Sequence, residues 1–372
     1  MQVNVNEDLS RLLTVLATSY GEYPFACRTM REVGRMPMIV GMRYLCFLAL
    51  SMALVFIPNA LGQQRQLPKA PTDVRPGSIT YEGVEYPFPV AYMPLTVYGQ
   101  DVRMAYMDVP PASQANGRTV VLFHGMNFGG FYFAAPIEAL RNAGFRVVVP
   151  DQIGFGRSSK PIIPYNFHDM AHNTTRLLAS LGIDRVSVVG HSMGGMLAAR
   201  FSASYPEMVE RTVLYAPIGL TDVRWAQKWP SADAAYKATM ESTQDQLYQS
   251  FYANIRRYFP APGAWKDEYE KYARILYAPT LSSDWPRLAM VRAIYRQITY
   301  LDPVVHDWEH IQAPTLVIGG ELDGQNFTER AEYIAKTVPH AKLKIFPKVG
   351  HVAHIEIPEQ FLPELVSFLS AR

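Results

Sequence analysis

From residue 119 onward, short apolar runs alternate with stretches whose apolar residues recur at helical spacing. The runs are Thr119–Phe123, Phe145–Pro150, Val186–Val189, Thr212–Tyr215, Thr315–Ile318 and Ala341–Phe346. Runs that stay apolar and β-branched along their length read as strands buried on both faces. With helices between them, they predict a mostly parallel sheet covered on both sides. Two earlier stretches, around Ser78–Val90 and Tyr92–Val109, alternate apolar and polar positions and predict an antiparallel hairpin at a sheet edge. The alternation stops between Ile218 and Tyr300, where helical patterns dominate. Residues 218–300 therefore read as a helical insertion that splits the sheet domain into 78–217 and 301–372. Four of the five tryptophans, Trp225, Trp229, Trp265 and Trp285, fall in it. Most of its aromatics are expected to pack the insertion onto the sheet and a few to line a pocket.

Composition adds limits. The chain has 372 residues, 49% hydrophobic and 18% charged, with a formal net charge of +2. This is an ordinary globular profile, and without a long basic or acidic block it offers no reason to propose a nucleic-acid partner. Neither a metal-ligand cluster nor a cofactor motif is apparent, so a small-molecule substrate is the expected partner.

The first 62 residues differ from the rest. Arg28, Arg31, Arg35 and Arg43 precede an uncharged run, Tyr44–Ile57, which gives way to small residues at Ala60 and Gly62. This resembles a secretory signal peptide, with cleavage expected after Gly62 and a secreted or periplasmic product. The run is shorter than the ~20 residues that span a bilayer comfortably, which favours a cleaved signal over a membrane tether. Both cysteines, Cys27 and Cys46, lie in this segment, so a product starting at Gln63 would have no thiol chemistry. Residues 1–41 show no organised pattern, and Met36, Met38 or Met42 is an alternative start. Residues 63–77, rich in Pro, Gln and Lys, read as a linker.

Chemistry concentrates at Gly190-His191-Ser192-Met193-Gly194. A strand precedes this segment and a helix, Met193–Ser204, follows it, so Ser192 stands at a sharp strand-to-helix turn. Glycines two before and two after let strand and helix pass closely. A serine hydroxyl is a poor nucleophile at neutral pH and needs a histidine to take its proton and an acid to orient that histidine. Candidates for both follow strands downstream. Gly319-Gly320-Glu321-Leu322-Asp323-Gly324 offers two carboxylates, and Lys348-Val349-Gly350-His351 offers a histidine. Asp222 and His354 are alternatives.

Over residues 78–372 these segments, in this order, resemble an α/β-hydrolase-fold serine hydrolase. The resemblance implies Ser192 as nucleophile, Asp323 as acid and His351 as base. Gly350-His351 followed by Glu356 and Pro358, and the loop Asp151–Ser158, are similar to family segments. His124-Gly125-Met126-Asn127 resembles the family's H-G loop, which implies the backbone N–H groups of Met126 and Met193 as oxyanion donors. Asn127 departs from the family pattern and is a candidate substrate contact. His124 and Asp151 read as structural. An aspartate would stand at the elbow of this fold's dehalogenases and epoxide hydrolases, and serine argues against them. The expected activity is hydrolysis of a small or medium, partly apolar carboxylic ester. Carbon–carbon, lactone or amide hydrolysis by the same triad is the alternative, as is a low-turnover ligand-binding protein of this fold.

Overall fold

The computed structural model describes residues 67–372, apart from Val223, Ala226, Gln227, Gln325 and Arg372. The signal-like run, its cleavage point and both cysteines lie outside the described residues.

Eight strands form one sheet: β1 (Ala91–Val97), β2 (Gln100–Val109), β3 (Thr119–Phe123), β4 (Arg146–Pro150), β5 (Val186–His191), β6 (Val209–Tyr215), β7 (Thr315–Gly320) and β8 (Ala341–Phe346). Their order across the sheet is β1-β2-β4-β3-β5-β6-β7-β8. The β1/β2 and β2/β4 pairs are antiparallel, and every pair from β4/β3 to β7/β8 is parallel. Period-two alternation sends successive side chains of each strand to opposite sides. In β3, Val120 and Leu122 join one buried cluster while Val121 and Phe123 join the other. Two apolar layers therefore sandwich the sheet, which is why its central strands are apolar over most of their length.

The expected edge hairpin exists, but not where the alternation put it. Both of its strands come from Ala91–Val109, and residues 78–90 form turns. Two features remove Ser78–Val90 from the sheet. Pro87 and Pro89 lack the N–H a ladder needs, and Tyr81, at φ 53°, reverses the chain by accepting from Val84 N–H at 3.0 Å. The hairpin turn is instead Tyr98-Gly99, whose φ values of 47° and 71° suit a tight two-residue turn.

The helices flanking the sheet include α1 (Ala134–Asn142), α2 (Phe167–Ser180) and α3 (Met193–Ser204). Between β6 and β7 the described residues are helical: α4 (Ala232–Glu241), α5 (Gln244–Arg256), α6 (Glu270–Tyr277), α7 (Trp285–Tyr295) and α8 (Ile298–Leu301). Their buried aromatics, among them Tyr248, Phe251, Tyr258, Phe259 and Trp285, pack into the same cluster as Val120 and Leu122 of the sheet. Helix α9 (Phe327–Thr337) follows β7, and α10 (Ala353–Glu356) and α11 (Pro358–Ser370) close the chain.

Candidate active site

The carboxyl ends of β3, β5, β7 and β8 each lead into a loop carrying one of the candidate residues. Ligands of open α/β sheets bind at such ends. The elbow after β5 is the tightest of these turns. Ser192 has φ 59° and ψ −117°, a conformation that costs on the order of 1–3 kcal/mol for a residue with a side chain. The surroundings hold it there: Ser192 N–H donates to Tyr215 O at 3.0 Å, and its carbonyl accepts from Gly195 N–H at 2.9 Å and Ile218 N–H at 3.2 Å. The flanking glycines have steric reasons to be there. A Cβ on Gly190 would collide with the Gly194 carbonyl, and one on Gly194 with the carbonyl of Phe123 in β3.

The acid and histidine loops are stitched together. Glu321 N–H donates to Phe346 O and Leu322 N–H to Val349 O, both at 2.9 Å. A side chain on Gly320 would strike the Val349 and Gly350 carbonyls. This close approach brings Asp323 Oδ1 within 2.8 Å of His351 Nδ1, which sets the imidazole to donate from Nδ1. Gly350 is required because its Cβ would meet the Tyr258 carbonyl, which accepts the His351 N–H at 2.9 Å. Glu356 fixes the same turn by accepting from Gly350 N–H at 2.9 Å.

The rival candidates are occupied elsewhere. Glu321 accepts from Lys348 N–H at 2.9 Å. Asp222 is bonded to Arg224, whose guanidinium draws the carboxyl down to about 2. His354 is fully enclosed: Tyr215 Oη donates to its Nδ1 at 2.9 Å, and its Nε2 donates to the Tyr132 carbonyl at 3.2 Å. Burial lowers its pKa to about 3. His124 Nε2 accepts from Gln152 N–H at 3.1 Å while its Nδ1 donates to Gly125 O at 2.9 Å. Asp151 accepts from Gly130 N–H, Arg157 N–H and the Tyr86 hydroxyl at 2.6–2.7 Å, which ties three loop segments together.

One cavity of about 510 Å³ is lined by Ser192, Asp323, His351, Met126 and Asn127, within the usual size range of small-molecule sites. Pro217, Ile218, Leu220 and Phe327 give it apolar wall. Ser192 and His351 are each only 6% exposed. Met126 follows Gly125 in the loop after β3, and Met193 begins α3, so its N–H is among those a helix leaves unpaired. Neither N–H meets a protein acceptor among the described residues. Asn127 donates through Nδ2 to Tyr258 Oη at 2.7 Å and to Asn254 Oδ1 at 3.3 Å.

Two residues behind the cavity, Tyr132 and His191, carry contacts that motif reading did not assign. Gly125 N–H donates to Tyr132 Oη at 3.0 Å, and Tyr132 Oη donates to His191 Nδ1 at 2.7 Å. His191 Nε2 then donates to the His351 carbonyl at 2.9 Å. The chain uses a neutral imidazole, and burial, followed by the charges His351 and His354 can carry, holds the His191 pKa well below its ordinary value. One line of hydrogen bonds therefore joins the H-G loop, the elbow and the histidine loop. Only His191's place next to Ser192 hinted at this; Tyr132 had no sequence signal.

The sheet order, the elbow and the stitched acid and histidine loops together define an α/β-hydrolase architecture. The chain belongs to the α/β-hydrolase-fold family, whose model matches residues 118–358. It is similar to a crystal structure from Pseudomonas aeruginosa described as a hydrolytic enzyme, with 34% identity and a TM-score of 0.75 over 80% of this chain and 99% of that one. A protein of Yersinia enterocolitica named for carbamate hydrolysis is 28% identical over 71% of this chain and 91% of its own length. A 2-hydroxy-6-oxononadienedioate/2-hydroxy-6-oxononatrienedioate hydrolase of Paraburkholderia phymatum is 27% identical over 73% and 92%.

Proposed function

We propose that this hydrolase is a serine esterase that works through an acyl-enzyme on Ser192. One arrangement carries the reading: a serine on a strained elbow opens into the same cavity as a histidine whose far nitrogen is bonded to a carboxylate. In the proposed cycle, Ser192 Oγ attacks the acyl carbon while His351 Nε2 takes its proton. Asp323 stabilises the imidazolium that forms. Negative charge on the acyl oxygen is received by the Met126 and Met193 N–H groups. The tetrahedral state collapses with the alcohol leaving and taking the proton back from His351. Water, deprotonated by His351, then attacks the acyl-enzyme through a second tetrahedral state, which releases the acid and restores Ser192.

The cavity's volume and its apolar wall support a small or medium acyl group. A fluorophosphonate probe tests the nucleophile: wild-type protein is expected to be labelled covalently and Ser192→Ala not at all. Unlabelled, folded wild-type protein would favour a ligand-binding role. An ester panel of graded acyl length tests the bond type. A flat, near-zero response from a protein that the probe does label would move the assignment to carbon–carbon, lactone or amide hydrolysis, or to the carbamate bond named for one relative.

A further inference from the structure

Three arginines line the cavity that holds Ser192, all of them solvent-exposed: Arg257 just after α5, Arg296 just after α7, and Arg330 in α9. Of the fifteen other described arginines, seven find acidic partners and eight, Arg292 among them, do not. Arg103, Arg118, Arg141, Arg146, Arg200, Arg224 and Arg274 each lie within 4 Å of a carboxylate oxygen, whereas among the described residues none of the three cavity arginines does. Among the described residues the only carboxylate on the cavity wall is Asp323, and its Oδ1 is engaged by His351 Nδ1. Arg257 makes one long contact, to Asn254 Oδ1 at 3.4 Å. On the same wall, Trp229 Nε1–H has no hydrogen-bond partner among the described residues.

A single unpaired surface arginine needs no explanation. Three on one concave wall, with its sole carboxylate already engaged, leave a positive field that folding alone does not require. Low-dielectric walls focus such a field and raise the local concentration of anions. The planar guanidinium fork matches a carboxylate bidentately. We propose that Arg257, Arg296 and Arg330 form a carboxylate-binding subsite, and that the preferred substrates are esters bearing a free carboxylate, such as hemiesters of short dicarboxylic acids. The subsite rests on the serine-esterase reading only for the bond that is cut.

The test pairs monoethyl glutarate with diethyl glutarate, which differ in one charge. Calorimetric titration of Ser192→Ala protein is expected to show the hemiester binding about tenfold more tightly at low ionic strength, the size of a charge-assisted contact. That advantage shrinks as salt is added. Arg296→Gln and Arg330→Gln are each expected to reduce the hemiester-to-diester ratio about fivefold. Equal affinity for the two esters, a ratio untouched by both substitutions, or inorganic phosphate binding at least as tightly as the hemiester would overturn the proposal. Wild-type kcat/KM for the same pair, followed by acid release, supplies a second ratio that does not depend on the Ser192→Ala fold. Hemiester binding without turnover of either ester would remove the esterase reading and leave the subsite standing.

Discussion

Tyr132 shows how far a single hydroxyl reaches in this fold. It accepts from Gly125 N–H and donates to His191 Nδ1, and His191 in turn holds the His351 carbonyl. Replacing Tyr132 by Phe keeps the ring, stacked on Phe128 at 4.2 Å, but leaves one buried donor and one buried acceptor without partners. A stability loss of about 1–3 kcal/mol is expected in urea denaturation. If the hydroxyl also positions the site, kcat falls while KM moves less, because the H-G loop and the histidine loop lose their common tether. Unchanged kcat in a protein destabilised as expected would assign Tyr132 to stability alone. The candidates Ser192, Asp323 and His351 were legible in sequence because each follows a recognisable strand, in the chain order of the family the sequence resembles. Tyr132 was not, since its partner is 59 positions away. The same holds for the cavity arginines, whose meaning comes only from a shared wall.

At the scale of elements, the parallel strands were legible because both faces are buried and their apolar runs are unbroken. The edge hairpin was misplaced because alternation alone cannot separate a paired strand from an extended segment punctuated by turns. Pro87, Pro89 and the reversal at Tyr81 decide against pairing in residues 78–90, and Tyr98-Gly99 supplies the turn. Elements also depend on one another at the elbow, where α3 passes so close to β3 that a Cβ on Gly194 would overlap the Phe123 carbonyl. Gly194→Ala therefore has to push the two elements apart. It is expected to lower stability by about 1–3 kcal/mol and to slow fluorophosphonate labelling of Ser192. Gly83→Ala, with nothing within 4 Å of the added carbon, is the control and should stay within about 0.5 kcal/mol of wild type. Equal effects at the two positions would refute the packing account of the elbow.

Across the whole molecule, the sheet's carboxyl edge gathers histidines that are buried neutral. His124, His191 and His354 are each 2% exposed or less, and burial is the first cause of a lowered pKa in all three. His354 is the cleanest case. It faces Tyr132, Tyr215, His191 and the aromatic rings of Phe133 and Phe361, with no carboxylate bonded to it. Its folded-state pKa of about 3 lies below the unfolded value of 6.5. Between those limits the unfolded chain binds a proton that the folded chain refuses, so stability falls as pH is lowered through 6.5. From pH 7 to pH 5 this one residue is expected to remove about 2 kcal/mol, and His124 and His191 act in the same direction. Glu356 and Asp307, whose pKa values burial raises, act oppositely but in the carboxylate range. Urea denaturation at steps between pH 5 and pH 7 measures the slope. His354→Gln can keep both hydrogen bonds, with its amide oxygen toward Tyr215 and its nitrogen toward the Tyr132 carbonyl, yet it cannot be protonated. The variant is expected to lose about 0.7 of a proton from the slope averaged over that window, whatever its stability at pH 7. A slope identical to wild type would mean that His354 titrates alike in both states, and that the enclosure around it admits the charge.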